Sequence, residues 1–251
     1  MNRSEQQIQG VLHDPNQATW RKYALLTVGE ASWLRLLNYE LRIALFGSVP
    51  GALGFVLRRR FYRSLFARCG RGVMIGRNVT LRGASRITLG DGVLIDDNCV
   101  LDARGAEARL ELGAGVVLSR NTIVRTRGRE LVIGSGSDIG CNCVVATDSR
   151  LVLGRDVLVA AFTYITAGGN HNMDRRDRPI SQQGFTSEGG VTVGDGAWLG
   201  AHCTVMDGVN IGEGAVIGAH SLVRGDVPSF AVAFGVPCRV QGQRPGAPAA
   251  L

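Results

Sequence analysis

The sequence predicts an all-β fold: a left-handed parallel β-helix of hexapeptide repeats, with a protruding loop and a short helical N-terminal segment. Three observations carry that expectation. Aliphatic residues recur every six positions, often with a glycine directly after them. Glycine is abundant, at 35 residues, while aromatics make up only 6%, so a large core must be filled by Val, Ile, Leu and Ala around many turns. One polar insertion interrupts the period, after which the repeat resumes in register.

The period runs through Leu89, Ile95 and Leu101, then Leu112, Leu118 and Val124, then Ile133, Ile139 and Val145, then Leu153, Val159 and Ile165. It is strictest in Val193, Leu199, Val205, Ile211, Ile217 and Val223, and an imperfect first coil starts at Ile75-Gly76. Three hexads make one triangular coil of about eighteen residues, each side a short parallel strand with its aliphatic residue pointing inward. The position four later falls in a tight interior corner and is small: Cys99, Cys143, Thr163, Ala197, Cys203, Ala215 and Ser221. Glycine after the aliphatic residue is read as supplying backbone conformations that other residues resist. Longer coils are accommodated by bulged corners at Ala103 to Leu110 and Arg125 to Glu130. The alternatives are a β-sandwich and a right-handed β-helix; a sandwich would need alternation of period two over longer runs. Left-handed parallel crossovers are rare in general, and the strict six-residue period overrides that base rate.

The formal charge is +7, unevenly spread: between Glu40 and Asp91 lie ten arginines and no acid, leaving −3 for the remainder. Such a basic segment can meet a membrane surface, a nucleic acid or an anionic substrate. No nucleic-acid-binding module is recognisable and aromatics are not interleaved for base stacking, so no nucleic-acid partner is expected. The first twenty residues are polar and carry acids, unlike a signal peptide. The longest apolar run, Ile43 to Leu57, is short and broken by Pro50 and three glycines. A cytoplasmic protein with six reduced cysteines is therefore expected.

Three zones follow: a partly helical, arginine-rich segment over 1–68, the β-helix over 69–240 with an inserted loop at 168–191, and a disordered Gly/Pro/Ala tail over 241–251. In the first zone, Trp33, Leu36, Leu37, Leu41 and Leu45 have helical spacing. Beyond Pro50, Arg58, Arg59, Arg60 and Arg63 stand beside Phe55, Phe61, Tyr62, Leu65 and Phe66. Two readings stay open for 41–68: peripheral contact with the inner face of an anionic membrane, or a cap over the open end of the solenoid.

The loop holding His171 and Pro179-Ile180, then Gly194-Asp-Gly-Ala-Trp198-Leu-Gly-Ala201, Ile211-Gly-Glu-Gly-Ala-Val-Ile-Gly-Ala219 and Gly235-Val-Pro-Cys-Arg239, resemble the hexapeptide acyltransferases. The likeness is to the galactoside, maltose and streptogramin O-acetyltransferases over about Gly70 to Val240. More weakly, Val49-Pro-Gly-Ala-Leu-Gly and Arg58-Arg-Arg-Phe-Tyr resemble leaders of surface-polysaccharide acetyltransferases. The resemblance implies a homotrimer with sites between subunits and acetyl-CoA as acyl donor along the later coils. It implies His171 as general base, Asp148 on the acceptor hydroxyls and Asn142 in the neighbouring coil. It places the donor against Trp198, Gly200, Ala201, Gly218 and Ala219, with Arg224 and Arg239 near its phosphates. This chain departs from the pattern at Arg224-Gly225, where the family often has Thr-Lys, and at Gly140, where some members carry an acceptor-side polar residue.

Acyl transfer from a thioester to an alcohol needs a base at the hydroxyl and donors for the developing oxyanion. His171 suits the first role, since imidazole changes protonation near neutral pH; otherwise it is a solvated loop histidine. His202 and His220, eighteen residues apart, are expected to stack on adjacent coils as structural residues. A zinc site would need a further histidine at suitable spacing, and only His13 and His171 remain, so no metal is expected. Cys141 and Cys143 read as packing residues rather than a redox pair. Trp198 serves either the donor channel or packing alone. Arg175, Arg176 and Arg178 either clamp an anion or are solvated. The expected function is acetyl transfer to a saccharide hydroxyl in surface-polysaccharide or glycoconjugate synthesis. The alternatives are another small acceptor, such as an antibiotic, or a catalytically silent scaffold.

Overall fold

The computed structural model describes residues 14–105 and 107–246; His13 and the end of the tail, 247–251, lie outside them. The described chain winds into a left-handed β-helix of about seven turns. Its sides form three parallel sheets. The first sheet runs from Arg68–Cys69 to Asn210–Ile211, the second from Met74–Ile75 onward, and the third from Thr80–Arg82 to Leu222–Val223. Register is kept from coil to coil, so that Leu112, Ile133 and Leu153 are successive partners in the first sheet. The inward column is fully buried at Leu89, Ile95, Leu101, Leu118, Ile139, Val159, Leu199 and Ile217. All seven small interior corner positions are buried as well. The first coil opens at Arg68–Cys69, one side before the imperfect repeat becomes visible in the sequence.

Each coil has two tight corners and one variable one. Between the first and second sheets, Gly72, Gly92, Gly115, Gly136, Asp156, Gly196, Gly214 and Phe230 adopt left-handed backbone, with φ from 54° to 75°. Between the second and third sheets that conformation falls on Asn78, Asn98, Asn121, Asn142, Phe162, His202 and His220. Asparagine enters the left-handed region more readily than most residues, and its amide is used here. Asn121 Nδ2 donates to Asn142 Oδ1 at 3.0 Å, and Asn78 Nδ2 to Asn98 Oδ1 at 3.4 Å. Higher up, rings replace amides: Phe162 stacks on His202 at 4.9 Å and His202 on His220 at 4.7 Å, nearly parallel. The histidine stack expected from the eighteen-residue spacing is thus the top of a corner column. Among the described residues, no three His, Cys, Asp or Glu side chains gather as a metal site.

The glycines after the aliphatic residues have a different cause from the one expected. They are not the left-handed positions. A Cβ at Gly76 would lie 2.5 Å from the Asp96 carbonyl carbon, and one at Gly200 would lie 2.6 Å from the Ala219 nitrogen. Close stacking of one coil on the next selects glycine here, and the special φ falls two residues later.

Every extra residue lies at the third corner, between the third sheet and the next strand of the first. The bulges are narrower than expected, 104–108 and 127–129, because Val100–Ala103, Arg109–Leu112, Ile123–Thr126 and Glu130–Ile133 are strands. The large insertion occupies 168–190, since Val191 is already buried in Val191–Val193.

Three helices, Thr19–Thr27, Trp33–Phe46 and Gly51–Phe61, precede the coils. Ser32 caps the second, its Oγ accepting from the Arg35 amide at 3.4 Å. Their inner faces cover the open end of the solenoid. Leu36, Tyr39, Tyr62 and Phe66 are buried, and the Tyr39 hydroxyl donates to the Leu81 carbonyl at 2.9 Å. Arg58 is 1% exposed and donates to the carbonyls of Ile75 (2.8 Å), Phe46 (3.0 Å) and Val49 (2.7 Å). It satisfies carbonyls at the end of the second helix and on the first coil that would otherwise be orphaned, and desolvation lowers its pKa. At the far end, Ala231–Gly235 turns back into Cys238–Gln243 as an antiparallel hairpin, so strand structure continues past Val240.

Candidate active site

His171 stands in the inserted loop, on a two-stranded hairpin in which Asn170 pairs with Thr186 and His171 with Phe185. Its imidazole is exposed and meets the Phe185 ring edge-on at 6.2 Å. The hairpin leaves the third corner through Gly168 and Gly169, with φ of +85° and +80°. A side chain at Gly169 would put its Cβ 3.0 Å from Asp148 Oδ2. Asp148 itself follows the strand Val144–Thr147 one coil earlier and donates its amide to the Ala167 carbonyl at 2.8 Å. The structure therefore seats the Asp148 carboxylate against Gly169 at the root of the loop, and Gly169 precedes His171 by two residues in sequence.

A second carboxylate holds the root from the other side. Asp207, 5% exposed, follows Thr204–Val205 in the next coil. It accepts from the amides of Glu188 (2.6 Å) and Gly190 (3.0 Å), from Ser187 Oγ (3.4 Å) and from Asn170 Nδ2 (3.4 Å). Both ends of the insertion are thus tied to one buried anion, whose charge is met by backbone donors. Sequence reading missed Asp207. Its only signal is an acid at the coil end where Met206-Asp207-Gly208 replaces an aliphatic turn.

The loop is internally braced. Gln183 Nε2 donates to the carbonyls of Arg175 (2.7 Å) and Arg178 (3.1 Å), while its Oε1 accepts from the Arg175 amide at 3.0 Å. Arg175 grips Asp177 with two nitrogens, at 2.9 and 2.7 Å, and Arg178 stands 3.6 Å from the same carboxylate. The Arg175 hydrogen bond is the main reason that the Asp177 carboxyl is held below its usual range. Two of the three loop arginines are thus engaged within the loop, and Arg176 is exposed without an ion-pair partner among the described residues.

Asn142 is not brought to His171 within one chain. It sits in the asparagine column at the corner before the strand Val144–Thr147, whereas Asp148 follows that strand at its other end. Its amide oxygen is engaged by Asn121.

The later residues line an outer wall. Trp198 projects from the second sheet, 48% exposed, in register with Leu158 and Val216. Beside it, Gly200 and Gly218 are packed against the next coil, and their amides bond to the carbonyls of Ile217 and Ala233 at 2.8 Å. Ala201 and Ala219 follow at equivalent places one coil apart. The Ala201 carbonyl accepts from the His220 amide at 2.9 Å. Neither Ala201 nor Ala219 gives its own N–H an acceptor among the described residues. N–H groups without an acceptor within the described residues, near an exposed indole, can receive amide-type carbonyls of an extended ligand. Arg224 is exposed after Leu222–Val223 and unpaired among the described residues, and Arg239 is exposed in the terminal hairpin opposite Phe234.

The cysteines are packing residues where they are buried. Cys143 Sγ donates to the Ala160 carbonyl at 3.2 Å and Cys203 Sγ to that of Gly218 at 3.2 Å, and burial pushes both thiols up.

Comparison with known proteins agrees with this fold. Residues 190–225 match the family described as bacterial transferase hexapeptide (six repeats). A putative lipopolysaccharide-biosynthesis O-acetyltransferase of Escherichia coli is 34% identical over 102 residues, covering 38% of this chain and 52% of that protein. The galactoside O-acetyltransferase of the same organism is 33% identical over 102 residues, covering 39% and 47%. The chain thus spans about half the length of these relatives. Among solved structures, an N-acyltransferase from Bacillus cereus superposes with a TM-score of 0.51 at 21% identity, over 74% of this chain and 88% of that one, a likeness of fold. The chain carries the hexapeptide repeat of bacterial transferases and is similar in sequence to O-acetyltransferases that bear it.

Proposed function

We propose that the protein is an acetyltransferase that moves an acetyl group from acetyl-CoA to a saccharide hydroxyl, in the making of a surface polysaccharide or glycoconjugate. The observation that carries this reading is the anchored loop. An otherwise regular solenoid spends twenty-three residues on a braced hairpin that presents one imidazole, with its root held between Asp148 and Asp207. Loops of this length in compact folds are usually functional.

His171 accepts the proton of the acceptor hydroxyl as that oxygen attacks the thioester carbonyl. The new C–O bond forms, the C–S bond breaks, and the CoA sulfur leaves, taking a proton to become the thiol. No covalent bond to the enzyme is needed. Asp148 orients the acceptor by accepting from its hydroxyls. The donor lies along the wall of Trp198, with the Ala201 and Ala219 N–H groups toward its amide carbonyls and Arg224 and Arg239 toward its phosphates.

The same reading makes the protein a homotrimer. The outward column of the third sheet is largely apolar (Val100, Ile123, Val144, Tyr164, Leu222), as is much of the second (Met74, Leu94, Leu158, Trp198). The first sheet instead carries the ion pairs Arg109–Glu111 and Arg150–Glu130. A threefold contact through the apolar columns would cover them and bring one chain's loop to the next chain's wall.

The test incubates the purified chain with acetyl-CoA and a panel of saccharides, following thiol release and the mass of the acceptor. Thiol release matched by an acetylated saccharide supports the reading. Acetylation confined to amines or to non-saccharide alcohols overturns the acceptor class, and no turnover with any acceptor overturns the enzyme reading.

A further inference from the structure

The three N-terminal helices have a second face that the cap does not use. In Trp33–Phe46, Leu36 and Tyr39 turn inward, while Leu34, Leu37, Leu41 and Leu45 form a stripe at spacings of three and four, each more than half exposed. The next helix continues the pattern with Leu53 and Val56, 64% and 63% exposed. A helix that is apolar on both sides is ordinarily buried on both sides. Six large aliphatic side chains on two consecutive helices far exceed the scattered exposure normal for a protein surface.

The basic residues divide in the same way. Arg58 is consumed by three carbonyls inside the cap. Arg59, Arg60 and Arg63 are exposed, and Arg60 lies one helical turn beyond Val56 on the same side. Arg59, Arg60 and Arg63 line a groove of about 480 Å³ with Val56 and the edge of the first coil. Arg71 also lines it but is paired with Asp91. No acid lies between Glu40 and Asp91 in sequence until that point. Among the same three helices Trp20 and Trp33 meet edge-on at 6.0 Å, both exposed, and tryptophan favours the boundary between lipid and water.

We infer that this outer face is a docking surface for an anionic lipid bilayer, with the leucine stripe entering the headgroup boundary and Arg59, Arg60 and Arg63 on lipid phosphates. A soluble polyanion would satisfy the arginines and leave the leucines in water, whereas a bilayer of anionic lipid satisfies both. The contact is peripheral: no helix among the described residues is long and apolar enough to cross a membrane. The inference goes beyond the acetyltransferase reading and does not rest on it, because the vesicle test needs no turnover.

The experiment is co-sedimentation of the full chain with phosphatidylcholine vesicles, with and without phosphatidylglycerol. Three proteins are compared: wild type, Leu37→Asn/Leu41→Asn, and Arg59→Gln/Arg60→Gln/Arg63→Gln. Thermal melts verify folding, and all five side chains are exposed. Wild type is expected to bind the anionic vesicles only, and binding should fall as salt shortens the Debye length from ~10 Å at ~0.1 M to ~3 Å at ~1 M. Each variant should bind roughly tenfold more weakly or worse. Three results would overturn the inference: no anionic-vesicle binding at low salt, leucine-variant binding equal to wild type, or a leucine variant whose only change is dissociation to a smaller oligomer. The last result would identify the stripe as a contact between copies of the chain.

Discussion

Two corners of each coil are nearly invariant from the first coil to the last, and the third differs in almost every coil. At the invariant corners a left-handed residue is set directly over its predecessor, mostly glycine in one column and asparagine, phenylalanine and histidine in the other. Beyond the first coil, these residues are held by a backbone bond to the coil below, as in His202 to Ala161 at 3.1 Å and His220 to Ala201 at 2.9 Å. An insertion there would break the stacking of both neighbours. The third corner has no such column, so it accepts two residues at 148–149 and twenty-three at 168–190 without disturbing the sheets. Regularity at two corners supplies the rigid frame, and freedom at the third supplies the room for the inserted loop.

The sharpest way to break that contrast is to add one carbon. A Cβ at Gly134 would collide with the backbone carbonyl of Gly154 in the next coil. Gly134→Ala should therefore cost about 3 kcal/mol or more, since neither coil can yield without shifting the stack. At Gly115, a left-handed corner with φ +69°, nothing lies within 4 Å of the added carbon. Gly115→Ala should cost only about 1–2 kcal/mol, the price of left-handed backbone alone. Chemical denaturation of the two variants measures the difference, and equal losses would show that stacking distance does not govern glycine placement.

Those two glycines also mark how far the sequence is legible. The six-residue period reveals the inward column, because Leu112, Ile133 and Leu153 face the core for the same reason in successive coils. It also reveals where the solenoid stops, and so exposes His171. It does not reveal why Gly134 is glycine, since close coil-to-coil approach and a special φ leave the same letter. Asp207 was invisible for a related reason. Its four partners come from Asn170 and 187–190, and nothing local marks an acid between coils as a fastener. Asn142 is the opposite case. The motif assigns it to the acceptor side, while the corner column accounts for its conformation and its hydrogen bond within the chain.

Asp207→Ala sharpens the comparison at the free corner. It removes the buried acceptor of two backbone amides, costing about 1–3 kcal/mol. The loss should be concentrated in the loop: hydrogen exchange should accelerate at Glu188 and Gly190 while the amides of Ile133 and Leu153 stay protected. Uniform acceleration through the coils would mean that Asp207 supports the solenoid rather than the insertion.

A smaller effect separates the cap from the coils. Burial raises the Tyr39 phenol to about 12, from an ordinary value near 10, and its hydroxyl donates to Leu81. Because the folded value is raised, the stabilisation is complete below about pH 10 and is lost as pH climbs toward 12. Tryptophan fluorescence from Trp20 and Trp33 should report loosening of the helices in that window, and Tyr39→Phe should lessen the pH dependence. A Tyr39→Phe protein with an unchanged alkaline transition would remove Tyr39 from its cause.

The free corner is proposed to carry the reaction through one imidazole, and the most direct measurement is His171→Ala beside wild type. Turnover is measured on an accepted saccharide, acetyl-CoA binding by calorimetry, and assembly by light scattering. The expected result is a fall in kcat of about 10²–10⁴, the usual range for loss of a positioned base. Donor affinity and oligomeric state should stay near those of wild type, because the wall of Trp198, Ala201 and Ala219 is untouched. A folded His171→Ala protein of unchanged assembly that turns over at nearly the wild-type rate would contradict the assignment of the base and leave the loop without its proposed chemistry.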